Sequence, residues 1–171
     1  MRVYLPVTLP GLAAAGLGSG AAATSPALIE VAATGASACA VTPALREWYR
    51  EGDLDELEYV AMTRAALASL RLLAAGGGAR RVVLAADVPD DMIVLDPIFD
   101  PAAVIVMGPV QLDQVVSAHV DDVSATADVA RAAELVDAAD AGDQDAQFTI
   151  DGLDDHELQW YGAQEIHFLL D

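Results

Sequence analysis

The chain has 171 residues, with 27 Asp and Glu against 8 Lys and Arg, a formal net charge of -19, and 54% hydrophobic residues. A single domain of this size buries about 70% of its unfolded surface, so it can build a core without staples, and it is far too apolar for a disordered acidic tail. The charge argues against polyanionic partners, because nucleic-acid phosphates and anionic lipid surfaces would be repelled and Arg80-Arg81 is the only local run of basic residues.

In chain order, Val3 to Val7 reads as an opening strand, and Thr8 as the cap of a short helix over Leu9 to Ala15 that the glycines from Gly16 to Gly20 end. A Gly/Ala-rich segment over about 16–37 is expected to be flexible. Inside it, Leu28 to Val31 is a candidate strand, with Gly35 turning the chain into a second one over Ser37 to Thr42. Thr42-Pro43 is a strong helix start, because the hydroxyl can accept from an orphan N–H and proline at the first position has no donor to lose. The resulting helix runs from Pro43 to Arg50. Asp53 and Glu56 form a capping box for the clearest helix in the chain, about 54 to 75. Its apolar stripe of Tyr59, Met62, Ala66, Leu70 and Leu73 predicts that the helix is largely covered, and Gly76-Gly77-Gly78 stops it.

Arg81 to Ala86 and Ala102 to Met107 read as interior strands, with a turn at Asp87 to Asp91 and a further strand over Met92 to Leu95. Gly108-Pro109 predicts a short helix containing Leu112, Val115 and Val116, followed by a brief strand to Val120. Ser124 would cap an amphipathic helix to about Asp140, with Val129, Ala133 and Val136 on successive turns. Gln147 to Ile150 is a last strand candidate, and Asp154 with Glu157 repeats the capping-box pattern ahead of Leu158, Trp160 and Tyr161. Strands and helices in this order predict an α+β fold, a two-layer sandwich with helices packed on one side of a mixed β-sheet, in a single globular domain over residues 1–171.

The charge is divided unevenly. Residues 1–86 carry seven Arg and seven acids, whereas 87–171 carry Arg131 alone against twenty acids. This half is either a solvated face or a docking surface for a basic partner. All eight basic residues are Arg, with no Lys and no Asn, which is the codon signature of a high-GC genome or an adaptation to high salt. Cys39 is the only cysteine, so no intrachain disulfide can form, and a reducing cytoplasm is the expected compartment. The weakly apolar first 45 residues, broken by Pro6, Pro10 and Pro26, suit neither a signal peptide nor a membrane span.

Candidate chemistry is sparse. Gly16, Gly18 and Gly20 follow a helix instead of opening one, so they make a loop and not a dinucleotide fingerprint. Without Lys there is no phosphate-binding Gly-Lys-Ser/Thr loop. Asp143, Asp145, Gln147, Thr149, Asp151 and Asp154 have the spacing of a calcium loop, with Phe148 where that loop needs Gly. The one knot of acids with imidazoles is His156, Glu157, Glu165 and His167. On one continuous helix the two histidines would share a face and could hold a divalent metal or act as an acid/base pair. His119 is expected to face outward from a strand. The aromatic pairs Trp48-Tyr49 and Trp160-Tyr161 are read either as anchors of two helices to the sheet or as a partner or homodimer surface.

The segments Val41-Thr42-Pro43-Ala44-Leu45-Arg46-Glu47-Trp48-Tyr49, Arg81 to Asp87, Val136 to Asp140 and Asp155-His156-Glu157-Leu158-Gln159-Trp160-Tyr161 together resemble a family of small acidic proteins from high-GC actinobacteria with no assigned function. The resemblance implies a cytoplasmic single domain and supplies no activity and no functional residues. The function expected from the sequence is that of a non-enzymatic cytoplasmic protein without a cofactor. It would bind a basic protein partner through its acidic C-terminal half and the aromatic pairs, with no membrane or nucleic-acid partner and with homodimerisation as a further expectation. The alternative is a metal-dependent hydrolase or metal-binding protein centred on His156, His167 and the neighbouring acids.

Overall fold

In the computed structural model, which describes residues 1–17, 29–98 and 100–170, β1 (Arg2–Val7) lies near the middle of a seven-stranded sheet. On one side it pairs with β3 (Ala36–Ala40), and on the other with β4 (Val82–Asp87) over its full length. β3 continues to β6 (Ala103–Val106) and then to β5 (Ile93–Leu95), while β4 continues to β8 (Val115–Val120) and β9 (Gln159–Gly162). Two short strands, β2 (Glu30–Ala32) and β7 (Val110–Gln111), pair separately. The fold class is α+β, as the order of elements implied. Every pairing among the described strands is antiparallel, so the expected mixture of parallel and antiparallel ladders is not what builds the sheet. β3 and β4 flank β1 and run parallel to each other without touching, which is why their connection needs a helical crossover.

That crossover is α2 (Pro43–Trp48) and α3 (Leu54–Ala74). Thr42 accepts from the Leu45 amide and donates from its own hydroxyl to the Pro101 carbonyl, which fixes the start of α2 to the β6 side of the sheet. Asp53 and Glu56 make both bonds of the capping box that opens α3. At its far end Gly76 and Gly78 take φ of 102° and 100°, and a Cβ on Gly77 would lie 2.6 Å from the Thr8 methyl, so glycine is required for this stop. The buried Ser69 hydroxyl donates to the Val7 carbonyl and accepts from the Val82 amide, which sets the helix over the ends of β1 and β4.

α3 buries Leu57, Ala61, Ala65 and Ala66 against Tyr4, Cys39, Val83 and Ala85 of the sheet. Its C-terminal turns, through Leu70 and Leu73, carry a further layer made of α4 (Thr126–Asp140), α5 (Gln144–Asp151) and the 3-10 turn Gly152–Asp155. The sheet is covered on both faces and not on one. Leu12 and Leu17 of the N-terminal α1 region (α1, Leu9–Leu12), Val110 of β7 and Ile166 of the C-terminal 3-10 turns pack on the opposite face against Leu5, Leu84, Val104 and Ala118. Both faces need cover because alternation along β1 and β4 makes both of them apolar.

Four local expectations are corrected. The stretch after Gly108-Pro109 is strand β7 and one 3-10 turn before β8, because Gln111 and Gln114 cap a turn too short to become a helix. Asp122, and not Ser124, caps the run into α4 by accepting from the Ser124 amide. Gln147 to Ile150 is helix, held by Asp143 at the cap and by Ala146 and Ile150 buried one turn apart. Asp154 and Glu157 open no helix, since β9 follows, with Trp160 and Tyr161 inside it. Residues 18–28 of the expected flexible segment, Gly18, Gly20 and Leu28 included, lie outside the described residues, whereas 29–37 supplies β2 and a turn at Gly35 with φ 85°. No described helix is long and apolar enough to cross a membrane.

Candidate functional site

Tyr59 leaves the covered stripe that the sequence assigned to it. It sits on the solvent side of α3, 58% exposed, and walls three adjoining hollows. The first, about 380 Å³, lies between α3 and α5, with Thr63, Arg64, Gln147, Asp151 and Asp154 around it and Leu70, Ile150 and Leu153 lining it from the core. The second, about 310 Å³, adjoins the first along α3, between Met62, Thr63 and Ala66 on the helix and His156, Glu157 and Leu158 on the chain entering β9. The third is a broad, open depression at the α2–α3 corner, where Trp48, Tyr49, Tyr59 and Val60 meet Glu51, Asp55 and Glu56. Arg81, Leu153 and Asp154 are shared by the first two and Tyr49 by the first and third, so the three form one groove bent around Tyr59.

The groove is built on a buried ion pair. Asp121, at the end of β8, is fully buried and receives the Arg81 amide at 2.6 Å and the Arg81 guanidinium at 2.7 Å. The same guanidinium donates to the carbonyls of Leu153 and His156 at 3.3 and 3.0 Å. Arg81 therefore ties the segment that forms one wall of the groove to the sheet, with its charge balanced by Asp121. Arg64 is turned toward Asp100 at 3.7 Å. What faces the groove is thus mostly acidic and aromatic, with Arg64 in the first hollow and Arg50 in the third.

Around it the carboxylates are dense. Between residues 126 and 157, ten exposed Asp and Glu stand against Arg131 alone. Among the described residues only Asp128 and Asp140 of these have a basic partner, with Arg131 and His156 on the first and Arg71 on the second. Half of the acids of residues 87–171 are in this helical unit. Of the others that the structure describes, Asp87 meets Arg2, whose guanidinium holds its carboxyl below the ordinary carboxylate range.

The structure separates the four residues expected to hold a metal. His156 pairs with Asp128 at 3.0 Å, Glu165 accepts from the Gly162 amide at 2.7 Å, and His167 rests against the Phe168 ring. β9 interrupts the helix on which the two histidines would have shared a face. Among the described residues no three His, Cys, Asp or Glu side chains gather as a metal would require. Glu157 is instead on the second hollow. The calcium-loop spacing from Asp143 to Asp154 is carried by α5 and the following 3-10 turn, so its oxygens do not encircle a common centre.

Of the aromatic pairs, Trp48 and Tyr49 are on the groove, with Trp48 71% exposed, whereas Trp160 and Tyr161 are on β9, outside it. Tyr161 packs partly into the core and donates its hydroxyl to Gln159, and Trp160 is exposed. His119 is half-buried, not outward-facing. It lies beside Ser117 at 3.3 Å, and burial lowers its pKa with no carboxylate acting on it, so the pair lacks the acid that would orient a catalytic histidine. Cys39 is buried in the core under α3, and burial pushes its thiol up to about 12. Folded protein at pH 8 is accordingly expected to leave a disulfide-exchange reagent unreacted, while denatured protein consumes one equivalent at once. Rapid labelling of the folded chain would contradict this.

What sequence reasoning missed is Tyr59 as an exposed residue and the Arg81–Asp121 pair. The available signal for the first was Asp55 and Glu56, one turn before Tyr59 on the same helix face, which is too acidic for a core tyrosine. A family model described as a family of unknown function (DUF6912) matches residues 1–170. Neither the curated proteins nor the solved structures give a significant match.

Proposed function

The chain belongs to DUF6912, a family of unknown function that carries no activity over to it, and from the geometry we propose a non-enzymatic cytoplasmic binding module that docks a basic protein partner on the helical unit of residues 126–157. The observation that supports this most is the ten exposed carboxylates on that unit with one Arg among them, beside a groove that has aromatic walls. Such a surface attracts cationic partners over roughly a Debye length, about 8 Å at physiological ionic strength, and gives fast, salt-sensitive association. The partner's contribution would be Lys and Arg side chains, and the aromatic corner at Trp48 and Tyr49 would supply contact area once they arrive.

Titration with poly-L-lysine by calorimetry, at low and at physiological salt, tests the reading. Binding should weaken steeply with salt. It should fall further when Asp151→Asn, Asp154→Asn and Glu157→Gln are combined than when Asp90→Asn, Asp91→Asn and Asp113→Asn are, although both triple variants remove the same charge. Equal losses would mean that net charge alone attracts the polymer, and the absence of salt-sensitive binding would refute the module altogether.

A further inference from the structure

The groove has more specific chemistry than an acidic surface needs. One exposed tyrosine ring is bordered by hollows on three sides, each with carboxylates at its rim: Asp151 and Asp154 in the first, Asp154 and Glu157 in the second, Asp55 and Glu56 in the third. Arg81, at the base, is paired with the buried Asp121, and the rims carry more carboxylates than the remaining arginines, Arg64 in the first hollow and Arg50 in the third. A cation finds an aromatic face and carboxylate acceptors together. A guanidinium fits this pairing better than an ammonium, because it is planar, weakly hydrated, stacks on aromatic rings and presents paired N–H groups to a carboxylate.

Resting on the proposed basic partner, we propose that the groove around Tyr59 is an arginine-recognition site that takes an extended, arginine-bearing segment of that partner, with a guanidinium laid on the Tyr59 ring and held by Asp154. The shape supports a segment over a single residue. The two smaller hollows lie side by side along α3 and share Tyr59, Thr63 and Asp154, and the third leads on to Tyr49 and Trp48. Neighbouring side chains of one strand-like peptide can occupy them in turn. Asp154 is central because it is the one carboxylate that rims both smaller hollows.

The test is calorimetry of the full chain with a Gly/Ser-based peptide carrying two Arg, its Lys counterpart, and free arginine. The Arg peptide should bind about fivefold or more tightly than the Lys peptide, and free arginine more weakly than either. Tyr59→Ala should remove the Arg preference while leaving the salt dependence of binding, and Tyr59→Phe should keep the preference. Asp154→Asn should weaken both peptides. Because Tyr59 is exposed, an unchanged melting temperature is expected for both Tyr59 variants. Equal affinity for the two peptides, undiminished preference in Tyr59→Ala, or free arginine binding as tightly as the peptide would overturn the inference and leave the acidic docking surface standing. Loss of all salt-sensitive binding in the parent chain would overturn both.

Discussion

Replacing Asp121 by Ala is expected to cost about 3–5 kcal/mol of folding stability. Asp121 is completely buried, and it accepts from the Arg81 amide as well as from the guanidinium. Without it, the guanidinium of Arg81, a residue only 6% exposed, is given only two neutral carbonyl acceptors. The cost is that of an uncompensated buried charge and an orphaned amide, not the value of the pair itself. For the same reason the double replacement Arg81→Met with Asp121→Leu should recover most of the loss. Chemical denaturation provides the measurement. A lowered midpoint with unchanged slope is expected for the single variant, and a loss under about 1 kcal/mol would contradict the claim that this pair holds the groove wall.

Leu70→Ala should cost about 2–5 kcal/mol and should act locally. Leu70 is fully buried where α3 meets Val129, Ala132, Val136, Ile150 and Leu153, and it also lines the first hollow. The truncation removes one of the two leucines, Leu70 and Leu73, through which α3 carries the acidic helical unit. Amide exchange should therefore speed up in α4 and α5 more than in β1 or β4, and Arg-peptide affinity should drop with it. Leu70→Met, nearly equal in volume, is expected to cost less than about 1.5 kcal/mol. Uniform acceleration of exchange over the sheet and the helices would show that the unit is not separately anchored.

Much of the framework is legible in the chain because local and tertiary preferences agree there. α3 announces itself through Asp53, Glu56 and the glycines after Ala75, and β4 through an uninterrupted apolar run that becomes the most covered strand of the sheet. The misreadings have physical causes. Phe148-Thr149-Ile150 has strand composition, yet Asp143 caps the segment and Ala146 and Ile150 repeat at helical spacing, and burial of those two decides the outcome. Asp154 and Glu157 have the spacing of a capping box, but the edge of β8 recruits Gln159 to Gly162 as a strand before a helix can propagate.

The site is harder to read because its parts are distant in sequence. Tyr59 and Asp154 line the same hollows although they are almost a hundred residues apart, and nothing near Tyr59 signals that they do. Asp121 is hidden differently: it is one carboxylate in a half of the chain crowded with them, beside the partly exposed Asp122, and only the register of β4 with β8 brings it to Arg81. Charge counting located the acidic half correctly but could not separate the one acid that holds the fold from those offered to solvent.

The most direct test of the account is nuclear magnetic resonance of isotopically labelled protein titrated with the Arg peptide. The amide shifts should move along Tyr49, Tyr59, Thr63, Asp151, Asp154 and Glu157 and remain still on the opposite face around Leu5 and Ile166. Shifts scattered over all exposed acids, or gathered on β5 or β9 instead, would contradict a site centred on Tyr59.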